Sequence, residues 1–122
     1  MTVIKLEKGE WQRFFDFLSR GLEGARAEIE VASLSLGNQV EAEWLPLLGI
    51  TYDPKDDLLE VALEGYDHMI AHPRDVYLDA TTGELMSLEV IDAEGVRQIV
   101  KLREPFLLPP PRPQGAERQT QR

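Results

Sequence analysis

Hydrophobic and polar residues alternate most regularly between Pro46 and Gly65, PLLGITYDPKDDLLEVALEG. Leu59, Val61 and Leu63 fall on one side and Glu60, Ala62 and Glu64 on the other, the period of a half-buried strand. Before them, Leu48, Ile50 and Tyr52 share a face, with Leu47, Gly49 and Thr51 opposite. Asp53-Pro54-Lys55-Asp56-Asp57 separates the two runs. Asp suits the first turn position because its carboxylate accepts from nearby backbone N–H groups, and Pro presets the next φ. The spacing predicts an antiparallel hairpin. A second period lies upstream. Trp11, Phe14, Phe15, Leu18 and Leu22 recur at helical intervals and predict an amphipathic helix. Arg20 suits its last turn, Gly21 its C-terminal cap, and Phe17 widens its stripe.

The remaining chain reads as short strands. Residues 1–6 form a strand or an extended lead-in. Ala27, Ile29 and Val31 alternate with Glu28 and Glu30. The phase then slips to Leu34 and Leu36, which predicts a bulge near Ala32-Ser33. Val40, Ala42 and Trp44 share a face of the next run, and Pro46 is expected to mark an edge or an interruption. Gly65-Tyr66-Asp67 predicts a turn, and residues 67–72 a short strand ended by Pro73. Val76, Leu78 and Ala80 form one inward set, and Met86, Leu88 and Val90 another. Turns are predicted at Thr81-Thr82-Gly83-Glu84 and Asp92-Ala93-Glu94-Gly95. In the last strand Gln98 interrupts the apolar face of Val96, Val100 and Leu102, so it needs a partner or an edge position. The expected fold class is α+β: one N-terminal helix packed on a strongly curved or barrel-like, mainly antiparallel sheet of about six or seven short strands. The helix is expected to lie on the Leu59, Val61, Leu63 face.

Size and charge narrow the function classes. A chain of 122 residues fits one domain. The body is expected to span residues 1–103. Residues 104–122 read as a proline-rich tail, because no large apolar residue follows Leu108. Phe106, Leu107 and Leu108 retain the means to dock on the body. The net charge is −9; the last nineteen residues hold three arginines and two glutamates, which leaves the body at −10. Such a surface repels phosphate backbones, so nucleic acid is not an expected partner. No apolar run approaches the ~20 residues that span a bilayer, so no membrane partner is expected. The first residues do not read as a secretory leader, and cysteine is absent, which together fit a cytoplasmic protein.

Four stretches, EWQRFFDFLSR (residues 10–20), LPLLGITYDPKDDLLEVALEG (45–65), DHMIAHPRDVYLD (67–79) and SLEVIDAEGVRQIVKL (87–102), together resemble the DUF5335 family of small bacterial proteins of unknown function. The resemblance covers most of the body and excludes the tail. It implies a shared fold and carries over no catalytic residue.

Candidate chemistry is sparse. On a strand, His68 and His72 lie ~13 Å apart, too far to share one metal ion. Asp67 or Asp75 could orient His68 as a base in a hydrolase-like or isomerase-like enzyme, although no nucleophile stands beside it. Asp53, Asp56 and Asp57 offer oxygen ligands, but their spacing is not that of a calcium loop. Glu28, Glu30, Glu41, Glu43, Glu60 and Glu64 read as the wet side of amphipathic strands rather than a carboxylate pair across a cleft. The run from Leu108 to Pro113 has the composition of a polyproline ligand, but a spacer explains it as well. The balance favours a small acidic binding or interaction module that is not an enzyme. It needs no cofactor, and its expected partner is a protein or a small ligand. It is expected to be a monomer or a weak homo-oligomer.

Overall fold

The computed structural model describes residues 2–33 and 37–108. In chain order the elements are β1 (Thr2–Leu6), a 3-10 turn (Lys8–Glu10), α1 (Trp11–Leu22), β2 (Arg26–Ser33), β3 (Gly37–Asp53), β4 (Leu58–Leu63), β5 (Tyr66–Ala71), β6 (Pro73–Thr81), β7 (Glu84–Asp92) and β8 (Arg97–Leu107). The eight strands form one antiparallel sheet in the order β1-β6-β7-β8-β2-β3-β4-β5. The fold is α+β as the sequence predicts, with one more strand than the expected six or seven. The sheet is curved and open, with β1 and β5 at its edges. Its inner face and α1 enclose one hydrophobic cluster.

The central hairpin is β3–β4, closed by residues 54–57, with Asp53 opposite Leu58. Asp53 Oδ1 accepts from the Lys55 N–H at 3.0 Å, as the turn chemistry requires. Three faces differ from the simple alternation. A register shift between Leu47 and Gly49 turns Leu47 inward, fully buried, and leaves Leu48 54% exposed. A shift between Leu85 and Ser87 does the same for Leu85 and Met86. The irregularities opposite Ile29 put their extra residues on β3, between Val40 and Leu45, while β2 keeps an unbroken register with β8 through the bend expected at Ala32-Ser33. A bulge puts one extra residue on one strand and so exchanges the two faces beyond it. The phase slip expected at Leu34 and Leu36, and the proline run from Pro109 onward, lie outside the described residues.

Pro46 does not end a strand. β3 is one 17-residue strand that pairs with β2 up to Pro46 and with β4 from Leu47 on. Trp44, at φ +53°, lies in the β3 bulge where Glu43 and Trp44 together oppose Glu28. β8 also runs past its expected end at Leu102 and past Arg103, the expected end of the body. Glu104–Leu107 belong to it, because Phe106 finds an apolar seat beside Phe17, with ring centroids 6.1 Å apart. That seat explains Gly21, which lies inside α1 and does not cap it. A Cβ there would stand 2.6 Å from the Phe106 ring, and the positive φ falls to Gly24.

The helix lies mainly along β3, where Ile50 and Tyr52 stand opposite Val61 and Leu59 on one sheet face, and its buried residues join the expected Leu59, Val61, Leu63 set in one core. Trp11 meets Tyr52 edge to face at 5.1 Å. Beyond Pro46, Leu47 still bonds Ala25 and Gly24 through its N–H and carbonyl, and further on α1 covers the β2 side of β3 through Ser19. Its Oγ donates to the Ile50 carbonyl and accepts from the Ile50 N–H, both at 2.8 Å. Ser19→Ala leaves both Ile50 groups unmet in a half-buried position. It is expected to lower the unfolding free energy by about 1–2 kcal/mol in urea denaturation. A loss near zero would mean that water replaces the hydroxyl.

Candidate functional site

His68 stands on β5, whose inward residues are Tyr66, His68 and Ile70; Asp67 is exposed on the opposite face. Neighbouring strand residues point apart, so Asp67 cannot orient His68. Asp75, on β6, is bound to Arg74 at 3.0 Å and Lys5 at 3.6 Å. Arg74 first, and Lys5 after it, hold the Asp75 carboxyl below the usual carboxylate range against the opposing effect of burial. The structure therefore does not bring the sequence-predicted trio of His68, Asp67 and Asp75 together.

The partner of His68 is Gln98. The curved sheet brings β5 and β8 face to face, although they are far apart in strand order. His68 Nε2 meets Gln98 Oε1 at 2.9 Å. Gln98 Nε2 donates to Asp92 Oδ2 and to the Val96 carbonyl, both at 3.3 Å, so its oxygen is the acceptor and His68 carries its proton on Nε2. His68 Nδ1 then faces the Tyr66 hydroxyl at 3.4 Å. Asp92 Oδ1 accepts from the N–H groups of Glu94 and Val96 at 2.9 and 3.0 Å. Gln98 is 4% exposed, the interruption noted in the sequence, and its partners satisfy it fully. Beside it lies a cavity of about 180 Å³ whose wall includes Ile70, His72, Asp92 and Gln98.

The aspartate turn is likewise committed to internal bonds. Asp57 Oδ1 accepts from the Tyr52 hydroxyl at 2.7 Å and lies 3.5 Å from Lys8 Nζ. Its Oδ2 is 3.4 Å from His72 Nδ1. Asp53 caps its own turn, and Asp56 points to solvent. Among the described residues no group of three His, Asp or Glu side chains comes together in a metal-binding arrangement. On the outer face, Glu28 and Glu30 of the acidic series both reach Lys101, at 3.7 and 3.1 Å.

Tyr52 gives this cluster a measurable signature. Burial, then the Asp57 hydrogen bond, then the charges of Asp57 and Asp53 push its phenol up to about 12. The folded value lies above the ordinary ~10, so this contribution to stability is whole below pH 10 and is lost as pH rises toward 12. Ultraviolet titration is expected to show a tyrosine ionising near 12. Asp57→Asn should lower that value only in part, because burial is the larger cause. A Tyr52 that ionises near 10 would show that its hydroxyl is open to water.

The sequence pattern did not single out a third feature. Leu6, Phe14 and Phe17 line a mostly apolar groove of about 360 Å³ along α1, bordered by Glu10, Arg13 and Arg20. Both phenylalanines remain half-exposed after Trp11, Phe15, Leu18 and Leu22 have entered the core. Phe14 belongs to the helical stripe read from the sequence, but a stripe wider than the core contact was the only available sign.

A family model described as a family of unknown function (DUF5335) matches residues 2–111. An uncharacterised protein of Aquifex aeolicus (strain VF5) is 39% identical over 110 residues, 89% of this chain and 99% of that protein. No solved structure matches the chain.

Proposed function

The chain belongs to the DUF5335 family, and from that premise we propose that it is a binding module, not an enzyme, that holds an apolar, acid-flanked segment of a partner protein in the α1 groove. The carrying observation is the pair Phe14 and Phe17, left half-exposed in a concave, mostly apolar site rimmed by arginine. Specific sites are typically apolar hollows with a few placed polar groups, and buried aromatic anchors dominate protein interfaces. Arg20 forms no ion pair among the described residues, so it is available to a partner carboxylate. His68 supports the reading from the other side. Its hydrogen-bond chain runs inward to Gln98 and to an aspartate already committed to its own turn. Among the described residues no helix is long and apolar enough to cross a membrane. We place the module in the cytoplasm on its cysteine-free composition.

The test uses a synthetic peptide with a Leu-Phe core between Asp and Glu residues, followed by amide NMR. Shifts are expected at Phe14, Phe17 and Arg20, and Arg20→Glu should abolish them without unfolding the chain. Unchanged groove amides at saturating peptide would overturn the proposal. So would sedimentation showing a dimer whose interface covers Phe14 and Phe17, which would make a second copy the occupant.

A further inference from the structure

We propose that the cavity where β8 runs past the start of β2 is an oxyanion-binding site, taking a phosphate or carboxylate group between the guanidinium groups of Arg26 and Arg103. The cavity, about 400 Å³, is lined by Gly24, Ala25, Arg26, Arg103 and Glu104. It lies apart from the α1 groove and shares none of its lining residues.

Three observations lead to an anion. The first is the distribution of charge. In a chain of net charge −9, six of the ten lysines and arginines among the described residues are ion-paired. Arg26 and Arg103 are two of the four that are not, and they line the same cavity. Such an acidic surface offers these cations many carboxylates, so two arginines without an ion pair lining one hollow stand out among the described residues. The second is preorganisation. Arg26 Nη1 donates to the Trp44 carbonyl at 3.0 Å, which restrains the guanidinium and leaves most of its five N–H donors free. Trp44 itself, at positive φ, lies in the β3 bulge opposite Glu28.

The third is the main chain. The β2–β8 register begins at Ala27 opposite Leu102, and the β7–β8 register jumps from Ser87–Lys101 to Leu85–Phe106. Residues 103–105 therefore have no partner residue in either neighbouring strand. The ladder is therefore interrupted at the cavity wall, where Arg103 and Glu104 leave the regular β8 register and Pro105 brings no N–H. Guanidinium forks are the donors that recognise planar carboxylates and phosphates. The Glu104 carboxylate opposes any anion here. It selects for a ligand strong enough in charge or in hydrogen bonding to overcome it.

The experiment titrates the intact chain with inorganic phosphate and, separately, with succinate, observing the arginine Nε–H resonances. Saturable shifts of Arg26 and Arg103 are expected with at least one of them, and the anion that saturates assigns the class. Arg26→Ala and Arg103→Ala should each weaken binding about tenfold or more, the scale of one lost charge-assisted contact. Glu104→Gln should tighten it. Arg20→Glu, in the α1 groove, should leave it unchanged, so this site and the groove fail or stand separately. Shifts that grow linearly without saturation for both anions would overturn the proposal. So would an Arg103→Ala chain, still folded by circular dichroism, that binds as tightly as the natural one.

Discussion

Truncating Trp11 to alanine is expected to lower the unfolding free energy by about 3–5 kcal/mol, the range for removing a large buried aromatic. Trp11 is 1% exposed and sits at the junction of three elements. Its ring meets the Tyr52 edge at 5.1 Å, Lys8 Nζ lies 5.3 Å above it, and its Nε1 donates to the Leu6 carbonyl at 3.0 Å. No neighbouring side chain can refill the space, because α1 is fixed to β3 through Ser19 at the same time. Trp11→Phe should recover part of the loss and still lack the bond to Leu6. Urea denaturation of the three proteins at one pH measures both steps. An alanine variant within ~1 kcal/mol of the natural chain would mean that the helix–sheet junction collapses freely, and the account of the core would be wrong.

Replacing Gln98 by leucine should cost about 2–3 kcal/mol, although leucine is close in volume and fully apolar. The cause lies in what is left behind. Asp92 Oδ2 loses a donor and His68 Nε2 loses its acceptor, and half-buried polar groups deprived of partners cost more than their bonds contributed. The effect should also be local. Gln98 joins β5 to β8 across the concave face of the sheet, so hydrogen exchange in β5 should accelerate more than in β7. Gln98→Glu separates the two contacts. It keeps an acceptor for His68 but sets a carboxylate against Asp92, and its penalty should shrink as pH falls and one carboxyl takes up a proton. A leucine variant as stable as the natural chain, with β5 exchange unchanged, would show that water satisfies both groups and that Gln98 does not hold β5 against β8.

The sites were less legible than the fold. Asp67 and Asp75 seemed suitable partners for His68 because they are near it in sequence. A strand turns adjacent side chains to opposite faces, and Asp75 is engaged by Arg74 and Lys5. The residue that does reach His68 is thirty positions away, and the only sign of it was an amide on an apolar face. Asp57 looked like one member of a surface trio, but its carboxylate holds Tyr52, with Lys8 and His72 close by. The cavity at Arg26 and Arg103 had no sequence signal, since it exists only because β8 outlasts β2.

The sequence by itself determined the helix, the central hairpin, the turns at Thr82-Gly83 and Asp92–Gly95, and the α+β class. Each of these rests on forces acting over a few residues: side-chain periodicity, the fixed φ of proline, and an aspartate accepting from the N–H groups that follow it. Only the tertiary structure decided which of Leu47 and Leu48, or of Leu85 and Met86, enters the core, because a bulge depends on the partner strand's register. It decided that β3 runs unbroken through Pro46, because the change of partner from β2 to β4 falls there. It also made Gly21 a seat for Phe106 and gave Gln98 to His68. Both contacts join residues far apart in sequence, and only the curvature of the whole sheet sets their distance.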